Sequence, residues 1–189
     1  MDTLKRIAQT LNALSLAVWL GVVVMTGVFA AVTFPTIKEL NPTLASHAKY
    51  TGEHWLIVAG NVAAKGFFIS DMVQFVCAAL AIASIGVLWI ATPGGLRGKL
   101  QAARVVALAC VISLFCYYFF VLAPGMSENL RQYWQAAAAG DNATALKFKA
   151  LFDADHPTSS RVLSSLAVLL LAASALALWP ATTTQEPKR

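Results

Sequence analysis

The sequence predicts an all-α integral membrane protein built as a four-transmembrane-helix bundle, and three observations carry that prediction. Its 189 residues are 58% hydrophobic and 12% charged, whereas charged residues make up roughly a quarter of an ordinary soluble domain. Four apolar runs, 11–34, 67–91, 102–123 and 162–179, can each cross about 30 Å of hydrocarbon at ~1.5 Å per residue. The remainder is too short for a separate soluble domain, so residues 1–189 are expected to form a single membrane domain, with a helical cap in its longer connections.

The first run follows Lys5 and Arg6. Its apolar core is about twice the length of a signal-peptide core of roughly 7–15 residues, so a retained anchor is expected. Residues 1–9 space Leu4, Ile7, Ala8 and Leu11 as an interfacial lead-in helix would. Within the run, Ala17 with Gly21 and Gly27 with Ala31 are four apart, which lets a neighbouring helix approach closely. Pro35 is expected to end this helix.

Beyond Pro35 the chain turns polar, and Asn41-Pro42-Thr43 reads as a turn before a new helix. Nothing between Ala45 and Ile90 breaks a helix beyond isolated glycines, so the second span is expected to carry a long outer extension. On such a helix His47 and His54 would share a face about 10 Å apart, too far to hold one metal alone. Asp71 falls at the outer mouth of the second span, and Gln74 follows one turn further in. An ionisable group deep in a span is a functional hypothesis by default, but one at the interface is cheap, so Asp71 has either a specific role or simple solvation.

Pro93-Gly94-Gly95 is expected to turn the chain into the third span, with Arg97, Lys99 and Arg104 just beyond. That span ends in Phe115, Tyr117, Tyr118, Phe119 and Phe120, an interfacial aromatic belt or the lining of a small-molecule pocket. Pro124-Gly125 is expected to stop it, with Ser127 capping a helix that ends at Gly140 and Asp141 capping the next. The result would be a hairpin with one apolar side, Ala145, Phe148 and Phe152 included. Asp153, Asp155 and His156 precede Pro157, with Thr158, Ser159 or Ser160 placed to cap the fourth span and Arg161 beside them. The tail from Thr182 is expected to be disordered.

Charge decides sidedness. With four spans, one side holds Lys5, Arg6, Arg97, Lys99, Arg104, Lys188 and Arg189 against only Asp2 and Glu186. The other side has as many bases, diluted over the connections 35–66 and 124–161 and balanced by acids. The positive-inside rule then places both termini in the cytoplasm of a bacterial cell whose cytoplasmic membrane holds the protein. The net charge of +5 therefore reflects topology and implies no nucleic-acid partner. Cys77, Cys110 and Cys116 all fall inside spans and read as small core residues.

The chain resembles the transmembrane protein 205-like family, a group of membrane proteins of unknown function. Trp19-Leu20-Gly21, Phe34-Pro35, Leu122-Ala123-Pro124, and Phe152 with His156 and Ser159 carry the resemblance. It implies four spans and no established reaction, and it marks Trp19, Gly21, Pro35, Pro124 and His156 as positions to test. The residues themselves lead to a non-enzymatic membrane protein that serves as an accessory, partner-binding subunit or handles a small solute. Its candidate outer polar site is Asp71, Gln74, Tyr118, Asp155, His156 and Arg161. No cofactor is predicted. The alternative is a haem- or metal-binding protein using His54, Asp71 and His156, and a third reading has Asp71, Asp155 and His156 in acid-base catalysis. Partners would be the lipid bilayer and either another protein or a second copy of the chain.

Overall fold

The computed structural model describes residues 2–91 and 98–182. Among them every regular element is helical: α1 Asp2–Leu40, a short 3-10 turn Ala45–His47, α2 His54–Ala91, α3 Lys99–Tyr117, a π-helical turn Tyr118–Leu122, α4 Ala123–Ala139 and α5 Asn142–Thr182. Four stretches are long and apolar enough to cross a membrane, α1, α2, the continuous helix Lys99–Ala139, and α5 through Trp179. Each contains one of the apolar runs of the sequence. The protein is an all-α four-helix bundle of membrane-spanning character. The turn expected at Pro93-Gly94-Gly95, Arg97 and the tail from residue 183 lie outside the described residues.

Three prolines expected at helix ends sit inside helices instead. α1 runs through Pro35 to Leu40, and α5 runs through Pro157. Each proline removes one N–H from the helical ladder, a loss that helices of this class absorb by small local adjustments. At Pro124 the adjustment is visible. The π turn directly precedes it, and the Ala123 N–H donates to the Tyr118 carbonyl one residue further back than an α-helix would. Consequently Ser127 caps nothing, and Thr158, Ser159 and Ser160 lie mid-helix, Ser160 Oγ donating to the His156 carbonyl at 3.1 Å. The second helix does begin well before its apolar run, but it starts at His54, so His47 and His54 do not share a helix.

The hairpin between α4 and α5 forms as its residues dictate. Gly140 adopts a left-handed φ of 77°. The Asp141 N–H reaches the Ala136 carbonyl at 2.9 Å and the Gly140 N–H reaches Ala137 at 3.1 Å, the double closure of a Schellman end. Asp141 Oδ1 then accepts from the Thr144 N–H at 3.1 Å and caps α5.

The chain packs as two compact units. The first comprises Met1–Val23, Met72–Phe115 and Ser164–Arg189. Its buried stripes are Ala8, Leu16, Trp19 and Val23 on α1, Cys77, Ala81 and Leu88 on α2, Leu108, Val111 and Phe115 on α3, and Leu166, Leu170, Ala173 and Ala177 on α5. Steps of three and four keep each set on one helix face, while Val18, Val76, Val106 and Val168 on other faces remain exposed, as lipid contact requires. The second unit comprises Val24–Asp71 and Cys116–Leu163. Its core packs Ile57 of α2 with Tyr133, Ala136 and Ala137 of α4 and Ala145 of α5, flanked by Tyr50, Trp134 and Phe148. Close approach matters here, because Gly60 lies against the Trp134 ring and Gly66 against the Phe29 ring.

A Cβ at Gly66 would collide with Phe29. We expect Gly66→Ala to destabilise the protein by about 1–3 kcal/mol, the usual range for overpacking. Adding Phe29→Ala should recover part of the loss in thermal unfolding; an additive loss would disprove the contact. The Thr144 hydroxyl and backbone N–H hold the Asp141 carboxyl below the usual carboxylate range. Its stabilising effect is therefore present above the ordinary value of 3.8 and fades as pH falls through the depressed folded value. Asp141→Ala should be less stable than the natural chain at neutral pH, and the two melting curves should converge in acid.

Candidate polar site

In a chain this apolar, a polar side chain on a buried helix face must find its partner within the protein. Asp71 is the single acidic residue of the 67–91 run. It is half-buried on α2 and hydrogen-bonded by the Tyr118 hydroxyl. Tyr118 is itself buried and opens the π turn, the one irregularity in the continuous helix Lys99–Ala139. A π turn inserts an extra residue and rotates the side chains that follow, and such turns cluster at functional sites. One residue before Asp71, the Ser70 hydroxyl meets Thr26 of α1 at 2.5 Å. This second unit thus holds two polar pairs, Asp71 with Tyr118 and Ser70 with Thr26, contributed by α1, α2 and the π turn.

The other expected site residues go elsewhere. Gln74 belongs to the first unit, fully buried, its Oε1 accepting from Trp19 Nε1 at 3.1 Å. Trp19 in turn stands edge-on to Phe115, with ring centroids 5.1 Å apart. Asp155 is half-buried, while His156 and Arg161 are exposed on α5. The His156 ring leans on Phe152 at 5.6 Å, and Asp153 pairs with Lys149 at 2.6 Å. These acids are mid-helix residues, and the capping role expected of them does not arise.

The proposed metal set is not assembled. Among the described residues, no three His, Cys, Asp or Glu side chains come together in a way that could hold a metal ion. His54 is committed to the backbone. Its Nδ1 accepts from the Leu44 N–H at 2.9 Å and its Nε2 lies 3.2 Å from the Tyr50 carbonyl, an arrangement that a neutral ring protonated at Nε2 satisfies. The Tyr50 ring stacks on it at 5.8 Å, and Tyr50 passes the contact on through a hydroxyl bond of 2.9 Å to Tyr133. His54 therefore pins the 41–53 connection to the core of its unit. His47, 6.5 Å from it between ring centroids, bonds through Nδ1 to Ser46.

Sequence reasoning missed a second polar cluster, in the first unit. Asn12 Nδ2 donates to the Ala81 carbonyl at 3.3 Å and to Ser84 Oγ at 3.4 Å, and Asn12 Oδ1 accepts from Arg104 Nη2 at 3.4 Å. The signal was present, since Asn12 continues the stripe 8–16–19, Ser84 the stripe 77–81–88 and Arg104 the stripe 108–111–115.

Because both His54 ring nitrogens are engaged, His54→Ala should release residues 41–53 and speed their cleavage by a soluble protease, while the helical circular-dichroism signal stays near that of the natural protein. Unchanged cleavage would remove the anchoring role.

Compared with protein-family models, with curated proteins and with solved structures, the chain matches none.

Proposed function

We propose that the protein is a non-enzymatic, small-solute-handling membrane protein whose binding centre is the Asp71–Tyr118 pair. The observation that carries this reading is a carboxylate placed inside an apolar run and held by a phenol from a π turn. An acid half-buried at the mouth of a span and bonded to a buried phenol is a candidate solute-binding position. A carboxylate bonded to the Tyr118 ring's hydroxyl suits a small organic cation, which gains from the negative charge and from the face of an aromatic ring.

The charge distribution supports both termini lying in the cytoplasm, with the 124–161 hairpin as an outer helical cap. The resemblance to the transmembrane protein 205-like family agrees with this reading in span number, and Trp19, one of the positions it marks, is fully buried.

The test is thermal unfolding of the detergent-purified protein against guanidinium, ethylammonium and tetramethylammonium at matched ionic strength. At least one cation should raise the melting temperature. Asp71→Asn should abolish the shift, and Tyr118→Phe should weaken it by about tenfold in half-saturating concentration, the equivalent of one charge-assisted hydrogen bond. No shift with any cation, or a shift that survives Asp71→Asn, would refute the reading.

A further inference from the structure

Arg104 presents a problem that the solute site does not solve. It lies in the second turn of α3, is only 5% exposed, and belongs to the first unit. Among the described residues of that unit the single acid is Asp2, exposed at the start of α1. The guanidinium makes two long hydrogen bonds, Nη1 to Gln101 Oε1 at 3.3 Å and Nη2 to Asn12 Oδ1 at 3.4 Å, both to neutral amides. Its Nε is buried with no acceptor.

Arginine does not give up its proton in proteins, so this is a buried, permanent positive charge held by neutral dipoles. A buried charge is strongly destabilising until a counter-charge with good hydrogen bonds offsets its desolvation. The unit's own described residues place no carboxylate beside it. That leaves the site open to a charge-balancing group from outside the chain.

We propose that Arg104, with Asn12, Ser84 and Gln101, forms an anion site for a phosphate group. The free Nε–H and a neighbouring Nη–H make the side-on fork that matches two oxygens of a phosphate. Asn12 Nδ2 and the Ser84 hydroxyl now satisfy each other and the Ala81 carbonyl, and both can turn to a third oxygen. Position agrees. With 102–123 as the spanning stretch, the start of α3 lies at headgroup depth, where lipid phosphates are concentrated, and Lys99 in its first turn adds attraction. The same chemistry would take a free phosphate arriving from solution.

Two probes separate those sources, inorganic phosphate against chloride at equal ionic strength, and nanodiscs of phosphatidylglycerol against phosphatidylcholine. Thermal unfolding of the full chain is the readout. Stabilisation by phosphatidylglycerol alone assigns the site to a lipid, and stabilisation by inorganic phosphate assigns it to a soluble ligand. In either case Arg104→Gln should weaken the response more than about tenfold, the loss of a charged hydrogen-bond pair. Arg104→Lys should keep part of it, since the charge remains and the fork is lost. Lys99→Gln should retain most of it.

Asn12→Asp guards against a folding failure in the arginine variants. It installs the missing carboxylate 3.4 Å from Nη2, so it should raise the melting temperature and abolish the response to either probe. The proposal falls if neither probe stabilises the natural protein, or if the response survives both Arg104→Gln and Asn12→Asp. It is independent of the cation site, because none of these residues belongs to the Asp71–Tyr118 pair.

Discussion

One constraint governs this molecule: on helices surrounded by hydrocarbon, a buried polar side chain is costly until another group answers it. The Trp19–Gln74 hydrogen bond is its clearest instance. Both side chains are fully buried, they stand 55 residues apart in sequence, and their bond ties α1 to α2 at one rotation. Because apolar faces are interchangeable in lipid, such bonds and close small-residue contacts supply the orientation that the hydrophobic effect supplies in water. Ala78, Ala81 and Ser84 on α2 make that approach possible, and Phe115 packs edge-on against the same indole.

Pro35, Pro124 and Pro157 lie inside helices, each just outside an apolar run. Ending a helix leaves several carbonyls without donors, whereas continuing through proline sacrifices one N–H. Around Pro124 the chain keeps its ladder by shifting one residue into a π turn. That repair has a consequence for the site, since it begins at Tyr118, the residue that holds Asp71. The irregularity and the only acid of the second apolar run occur together, and this coincidence gives the solute reading its weight.

Two polar clusters thus serve different ends. In the second unit, His54, Tyr50 and Tyr133 form a chain of contacts that fastens the 41–53 connection, with no capacity left at the imidazole for a ligand. In the first unit, Arg104 lacks the counter-charge that its burial demands. The first cluster is complete among the described residues, and the second leaves the Arg104 Nε–H without an acceptor among them.

Residue order by itself determined the fold class, because 18 or more consecutive apolar residues have few stable arrangements other than a spanning helix. It also determined the Gly140 stop and the Asp141 cap, which depend on the φ preference of glycine and the short reach of an aspartate. Both are local properties. Tertiary structure decided what Asp71, Gln74, His54 and Arg104 do, because each has a partner 10 to 92 residues away whose position depends on how the helices are rotated about their axes. Asp71 and Gln74 illustrate the limit: three residues apart, they share a face by helical spacing, yet Gln74 is consumed by Trp19 while Asp71 meets Tyr118. Periodicity specifies which face a residue occupies, and only packing specifies what stands opposite it.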